Sequence, residues 1–145
     1  MQLVHGMPKR FYRFENVSDA NVILVIRRTQ AKTFPMDFVP TTIIKSCADV
    51  FGPLIATLAN LSFAEGKFPD MFRAGQVTPL LKKPGANTAD MSNYRPITNL
   101  NTIGKILEHL AMNQLRRNME STSNGAPLQS AYRAFHSTET AMTLW

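Results

Sequence analysis

Apolar residues follow a helical period toward both ends of the chain and gather into two short runs in its middle. Ser18 reads as an N-cap and Asp19 as the acidic first turn of a helix whose apolar face is Val22, Ile23, Val25 and Ile26. Arg27 and Arg28 fall near its C-terminal end. A second helix is predicted from Val39 to Asp49, with Asp37 as its cap, Pro40 in the first turn, and Ile43, Ile44 and Cys47 buried. A third begins near Pro53, carries Leu54, Ile55, Leu58 and Leu61 deep into the core, and ends at Gly66 as a C-cap residue. Val77 to Leu81 and Tyr94 to Ile97 are the two short runs, a hairpin broken by Pro84-Gly85 and a polar loop. Pro96 puts its run at an edge or a strand start. The longest helix is capped by Asn101 or Thr102 and reaches about Glu120, with Ile103, Ile106, Leu107, Leu110 and Leu115 on one face. Lys105, Glu108, Gln114, Arg116 and Arg117 take the other faces, and His109 lies beside the stripe with no second metal-ligand residue at helical spacing. Ser137 or Thr138 caps a last helix toward Trp145. The fold class is α+β and mainly helical, one small β-hairpin packed on four or five helices.

Composition changes this picture in one respect. The chain has 145 residues, 44% of them hydrophobic, which suits one modest globular domain. Its formal charge of +6 points to polyanionic partners. The single Cys47 excludes an internal disulfide and fits a reducing compartment. No apolar run has the length of a membrane span and no signal peptide opens the chain, so no membrane partner is expected and the location is intracellular, nucleus or cytoplasm. Residues 1–14 form a basic arm in which Lys9, Arg10 and Arg13 interleave with Phe11, Tyr12 and Phe14. Such an arm either stacks on bases or packs its rings on the domain.

The candidate chemistry lies in the hairpin. Lys82, Lys83 and Arg95 fall where its two runs meet the loop, with few carboxylates nearby. Three gathered cations suit a triphosphate or a nucleic-acid backbone, although many surface hairpins carry such a solvated basic turn with no ligand. The ten acidic residues include no adjacent pair. Asp19, Asp37, Asp49, Asp70 and Asp90 each fall at a cap, a helix end or a loop.

The order of residues adds a resemblance. Val77-Thr-Pro-Leu-Leu-Lys-Lys-Pro-Gly85 followed by Asn93-Tyr-Arg-Pro-Ile-Thr-Asn-Leu100 resembles the fingers of non-LTR retrotransposon reverse transcriptases of the jockey-like and related LINE clades. The likeness extends upstream through Asp37-Phe-Val-Pro40, Asn60-Leu-Ser-Phe63 and Gly66-Lys-Phe-Pro69. Downstream it takes in Gly104-Lys-Ile-Leu-Glu108, Gln129-Ser-Ala-Tyr-Arg133 and His136-Ser-Thr-Glu-Thr140.

The resemblance implies that residues 15–145 are a partial reverse transcriptase domain, its fingers portion, ending before the palm. It implies an RNA template, a DNA primer and a deoxynucleotide triphosphate as partners of the parent polymerase. The hairpin lysine, Lys82 or Lys83, and Arg95 would grip the triphosphate, Arg95 through a bidentate guanidinium. Gln129 and Arg133 would lie on the template or nucleotide side. Ala131 and Tyr132 depart from the family's glycine and phenylalanine, and alanine is the more disruptive change if that backbone needs positive φ. The metal-holding aspartates of such enzymes lie in palm motifs this sequence lacks. Magnesium is thus expected only for the complete polymerase domain, this chain holds no cofactor or catalytic residue of its own, and it is not expected to polymerise DNA. The alternatives are a non-catalytic basic nucleic-acid-binding module and a decayed retroelement relic.

Overall fold

The computed structural model describes residues 11–32 and 34–122, together with Ser137, Glu139 and Met142. The chain divides into two units, one of Arg13–Met112 and one of Met1–Tyr12 with Asn113–Trp145. The first holds the core and the hairpin.

Helix α1 (Asp19–Arg28) starts as its sequence predicts, Ser18 Oγ accepting a hydrogen bond from the Asn21 amide. Val22 and Ile26 are fully buried, and Ile23 and Val25 pack at the edge of the same core. Helix α2 (Thr41–Ser46) is short, and a break at Cys47 separates it from α3 (Ala48–Glu65). This corrects the two predicted boundaries. Helix α3 continues through Gly52-Pro53, because Ala48, Gly52, Ala56 and Ala59 form a narrow side on which α1 can lie close. Packing over that stripe outweighs the single ladder bond lost at Pro53. At Gly52 an added Cβ would strike Ile23 Cγ1. Asn60, one turn further on than Ala56, clasps the backbone of Val17, its Oδ1 accepting from Val17 N at 2.8 Å and its Nδ2 donating to Val17 O at 3.1 Å. Phe14 stacks on Phe63 with centroids 4.7 Å apart, so this ring of the basic arm packs on the fold.

Four expected burials fail. Leu54 and Leu61 are 63% and 56% exposed, and Cys47 and Ile43 are exposed as well. Helix α3 is apolar nearly all round, and α1 covers only one side of it. Gly66 ends α3 in the left-handed conformation, φ 63°, as its position predicts.

A short 3-10 turn at Asp70–Phe72 buries Phe72 and leads into β1 (Gly75–Leu81), which pairs antiparallel with β2 (Tyr94–Leu100). Asn101 caps α4 (Thr102–Thr122), its Oδ1 accepting from Gly104 N at 2.6 Å. Ile106, Leu107 and Leu110 enter the core as predicted, whereas Gln114, expected on a polar face, is buried. Asp37 does not cap α2, whose N-cap is Pro40 without a side-chain bond. Its carboxylate reaches 65 residues along the chain instead, accepting from Thr102 N at 2.6 Å and Thr102 Oγ1 at 2.9 Å, and locally from Phe34 N at 2.7 Å. A carboxylate at the first turn of α4 suits the helix dipole. The expected α+β architecture, mainly helical with one hairpin, is the observed one. The last predicted helix lies largely outside the described residues.

Candidate functional site

The hairpin register fixes where its cations go. Gly75 faces Leu100 and each step keeps pace to Leu81 facing Tyr94, so Arg95 lies opposite Leu80 and Pro79 opposite Pro96. Lys82 N donates to Asn93 O at 2.8 Å, and this marks Lys82–Asn93 as a hydrogen-bonded pair. Counting back along the ladder, Leu80–Arg95 is hydrogen-bonded and Pro79–Pro96 is not. Both prolines therefore occupy positions whose missing N–H would point away from the partner strand, and no ladder bond is lost.

Alternation then puts Leu80, Lys82, Arg95 and Ile97 on one face, with Thr78 and Asn99 toward the root. Asn99 Nδ2 donates to Thr78 Oγ1 at 3.2 Å on that same face. Lys82 and Arg95 are diagonal neighbours at its distal end. Nearly every strand residue is exposed on both faces; only Leu81, Tyr94, Asn99 and Leu100 are half-buried. The root alone packs, where Leu100, Phe68, Phe72, Arg73 and Glu108 line an open cleft of about 250 Å³.

The loop between the strands is ordered by its own polar groups. Gly85 takes φ 79°, as the predicted turn requires. Asp90 Oδ1 accepts from Ser92 N at 2.9 Å, which lowers its pKa below the usual carboxylate value. Tyr94 donates its hydroxyl to Thr88 O at 3.1 Å, and Asn93 Nδ2 donates to Asn87 O at 3.0 Å. Lys82 Nζ donates to Ser92 O at 2.7 Å, and its other two donors meet no hydrogen-bond partner among the described residues. Lys83 and Arg95 are exposed, and among the described residues no carboxylate pairs with any of the three cations. The register thus brings Lys82 and Arg95 to one face, with Lys83 just beyond it in the turn. Gln129 and Arg133 lie outside the described residues.

The carboxylates are engaged elsewhere and do not converge. Asp49 pairs with Arg27 at 3.0 Å, Asp70 with Lys67 at 3.2 Å and Arg73 at 3.0 Å, Asp90 caps a turn, and Asp37 serves α4. The Arg73 and Lys67 contacts lower the Asp70 pKa. Among the described residues no three His, Cys, Asp or Glu side chains come together. No helix among the described residues is long and apolar enough to cross a membrane.

Sequence reasoning missed one feature. Lys105, assigned to a polar face of α4, is half-buried with its ammonium on the ring of Phe34. Nothing local announces the contact, because loop closure through Asp37 creates it.

Over 102 residues, 70% of its length, the chain is 26% identical to the RNA-directed DNA polymerase from mobile element jockey of Drosophila melanogaster. The likeness is to a retrotransposon reverse transcriptase. The matched stretch is 11% of that polymerase, so the chain spans about a tenth of the relative. No protein-family model matches.

Proposed function

We propose that this chain supplies the nucleotide- and template-facing fingers of a non-LTR retrotransposon reverse transcriptase. Its share of the work is binding, and the metal-holding carboxylates of phosphoryl transfer come from elsewhere in the parent polymerase. One observation carries the reading: a hairpin open on both faces ends in Lys82, Lys83 and Arg95, and no carboxylate among the described residues pairs with them. Exposed cations with no ion pair among the described residues can bind phosphate without first breaking one. Arg95 offers a planar fork of donors and the lysines offer point charges, the combination that grips phosphate oxygens. The likeness to the jockey polymerase supports nucleic acid and nucleotide as the partners. Gln129 and Arg133 are assigned to the template or nucleotide side by resemblance.

The test is fluorescence anisotropy with single-stranded RNA and a labelled deoxynucleotide triphosphate over a salt series. Arg95→Ala, Lys82→Ala and Lys83→Ala together should weaken both ligands. They should also reduce the slope of log affinity for RNA against log salt by about 2, at roughly 0.7 for each phosphate no longer neutralised. Unchanged affinity and slope in a folded triple variant would remove the hairpin from the site. RNA binding without triphosphate binding would favour a strand-binding module over polymerase fingers.

A further inference from the structure

Two ammonium groups gather at one ring beside the hairpin root. Lys105 Nζ lies 3.2 Å from the centroid of Phe34 and Lys32 Nζ lies 5.8 Å from it. The ring's negative face attracts each ammonium, yet like charges this close repel unless an anion offsets them. The obvious anion is Asp37, but its carboxylate already accepts from Thr102 N, Thr102 Oγ1 and Phe34 N, with Thr41 Oγ1 a further 3.4 Å away. The oxygens of Asp37 thus bond to neutral donors rather than to either ammonium, and its charge acts on Lys105 through space. Glu108, one turn along α4 from Lys105, acts on it only through space, and among the described residues neither lysine is in an ion pair. Burial, assisted by the Lys32 charge, holds the Lys105 amine below the usual lysine pKa against the opposing pull of Asp37 and Glu108. The fold thus holds both lysines at one ring, their charge offset only through space by Asp37 and Glu108, with no ion-pair partner on either ammonium among the described residues.

We propose that Lys32 and Lys105, gathered on Phe34 at the hairpin root, form a second phosphate site that holds the backbone of a single-stranded nucleic acid. Position favours a strand over a nucleotide. Asp37 ties the Phe34 amide to the Thr102 amide, so the cluster sits where β2 hands over to α4. Arg95 is six residues back along β2 from Asn101, roughly 20 Å at about 3.4 Å per residue. One triphosphate is too short to reach both clusters, whereas a strand presents a phosphate at every nucleotide. The inference rests on the reading that nucleic acid is the partner.

Amine-reactive labelling of the full chain, read by mass spectrometry, tests it without any substitution. Free protein should label at Lys105 at lower pH than a free lysine amine does. A short oligouridylate should protect Lys105 and Lys32, and deoxythymidine triphosphate or inorganic phosphate should not. Independently, Lys32→Gln with Lys105→Gln should lower the RNA salt slope by about 1.4, at roughly 0.7 per phosphate, and Lys105→Arg combined with Lys32→Gln should restore half of it. If RNA binds and the hairpin triple variant loses it, but labelling and slope ignore Lys32 and Lys105, this inference fails and the fingers reading stands. If triphosphate protects Lys105 as well as RNA does, the strand assignment is overturned. If wild-type protein binds no RNA, both readings fall.

Discussion

The Asp37 carboxylate joins two segments that are 65 residues apart. Its two oxygens serve a backbone amide and a hydroxyl of Thr102 and the amide of Phe34, and Thr41 and Thr102 touch each other at 2.7 Å inside the same buried node. Replacing one oxygen with an amide nitrogen would point a donor at donors. Asp37→Asn should therefore destabilise the fold by about 2–3 kcal/mol, near the upper end for hydrogen bonds to a charged group. Urea unfolding would measure it, and a loss under about 0.5 kcal/mol would mean the node contributes little. Other residues of the resembling motifs also have structural uses. Asn60 clasps Val17, Gly66 takes a left-handed cap, and Gly104 lies where a Cβ would come 3.2 Å from Phe72 O. Caps such as Ser18, Gly66 and Asn101 were legible because the groups they satisfy lie within a few residues. The partner of Asp37 was not, because its sequence neighbourhood also offered a helix to cap.

At the scale of elements, the α1–α3 crossing and the hairpin depend on small residues and prolines. In an isolated helix alanine is better than glycine by about 1 kcal/mol. At Gly52 the new methyl meets Ile23 Cγ1, an atom near the branch of a stiff side chain rather than a free end. Overpacking costs about 1–3 kcal/mol and should win, so Gly52→Ala should lower stability by roughly 1–2 kcal/mol in thermal unfolding. A stabilised Gly52→Ala protein would show that the crossing has slack. In the hairpin, Pro79 and Pro96 remove one outward donor from each free edge and so discourage a third strand. The pattern revealed the hairpin and its cations but not its register. Register sets which faces meet, and here it places Lys82 and Arg95 together.

For the whole molecule, apolar surface is the unbalanced quantity. Val50, Leu54 and Leu61 leave one side of α3 bare, and on the hairpin Leu80 and Ile97 are exposed on one face and Val77 on the other. Exposed apolar area on this scale favours association. Leu54→Gln with Leu61→Gln should raise the soluble yield and leave the unfolding free energy within about 0.5 kcal/mol, as for ordinary surface changes. A loss above about 2 kcal/mol would show that these leucines are buried in solution. The formal charge of +6 is visible in the sequence, but the fold decides which cations are available. Arg27, Lys67 and Arg73 are in ion pairs and Lys45 donates to Thr29 O at 2.6 Å, while Lys83 and Arg95 have no such partner among the described residues.

By itself the sequence determined the helical and hairpin segments, most caps, the basic hairpin tip and the likeness to a reverse transcriptase. These depend on periodicity, on groups a few residues apart and on residue order. Only the tertiary structure decided that α3 continues through Pro53, that Leu54 and Leu61 stay outside, that Asp37 serves α4, and that Lys32 and Lys105 meet at Phe34. Each depends on a partner distant in sequence, and a one-dimensional pattern holds no record of which distant groups the closed chain brings within a few ångströms.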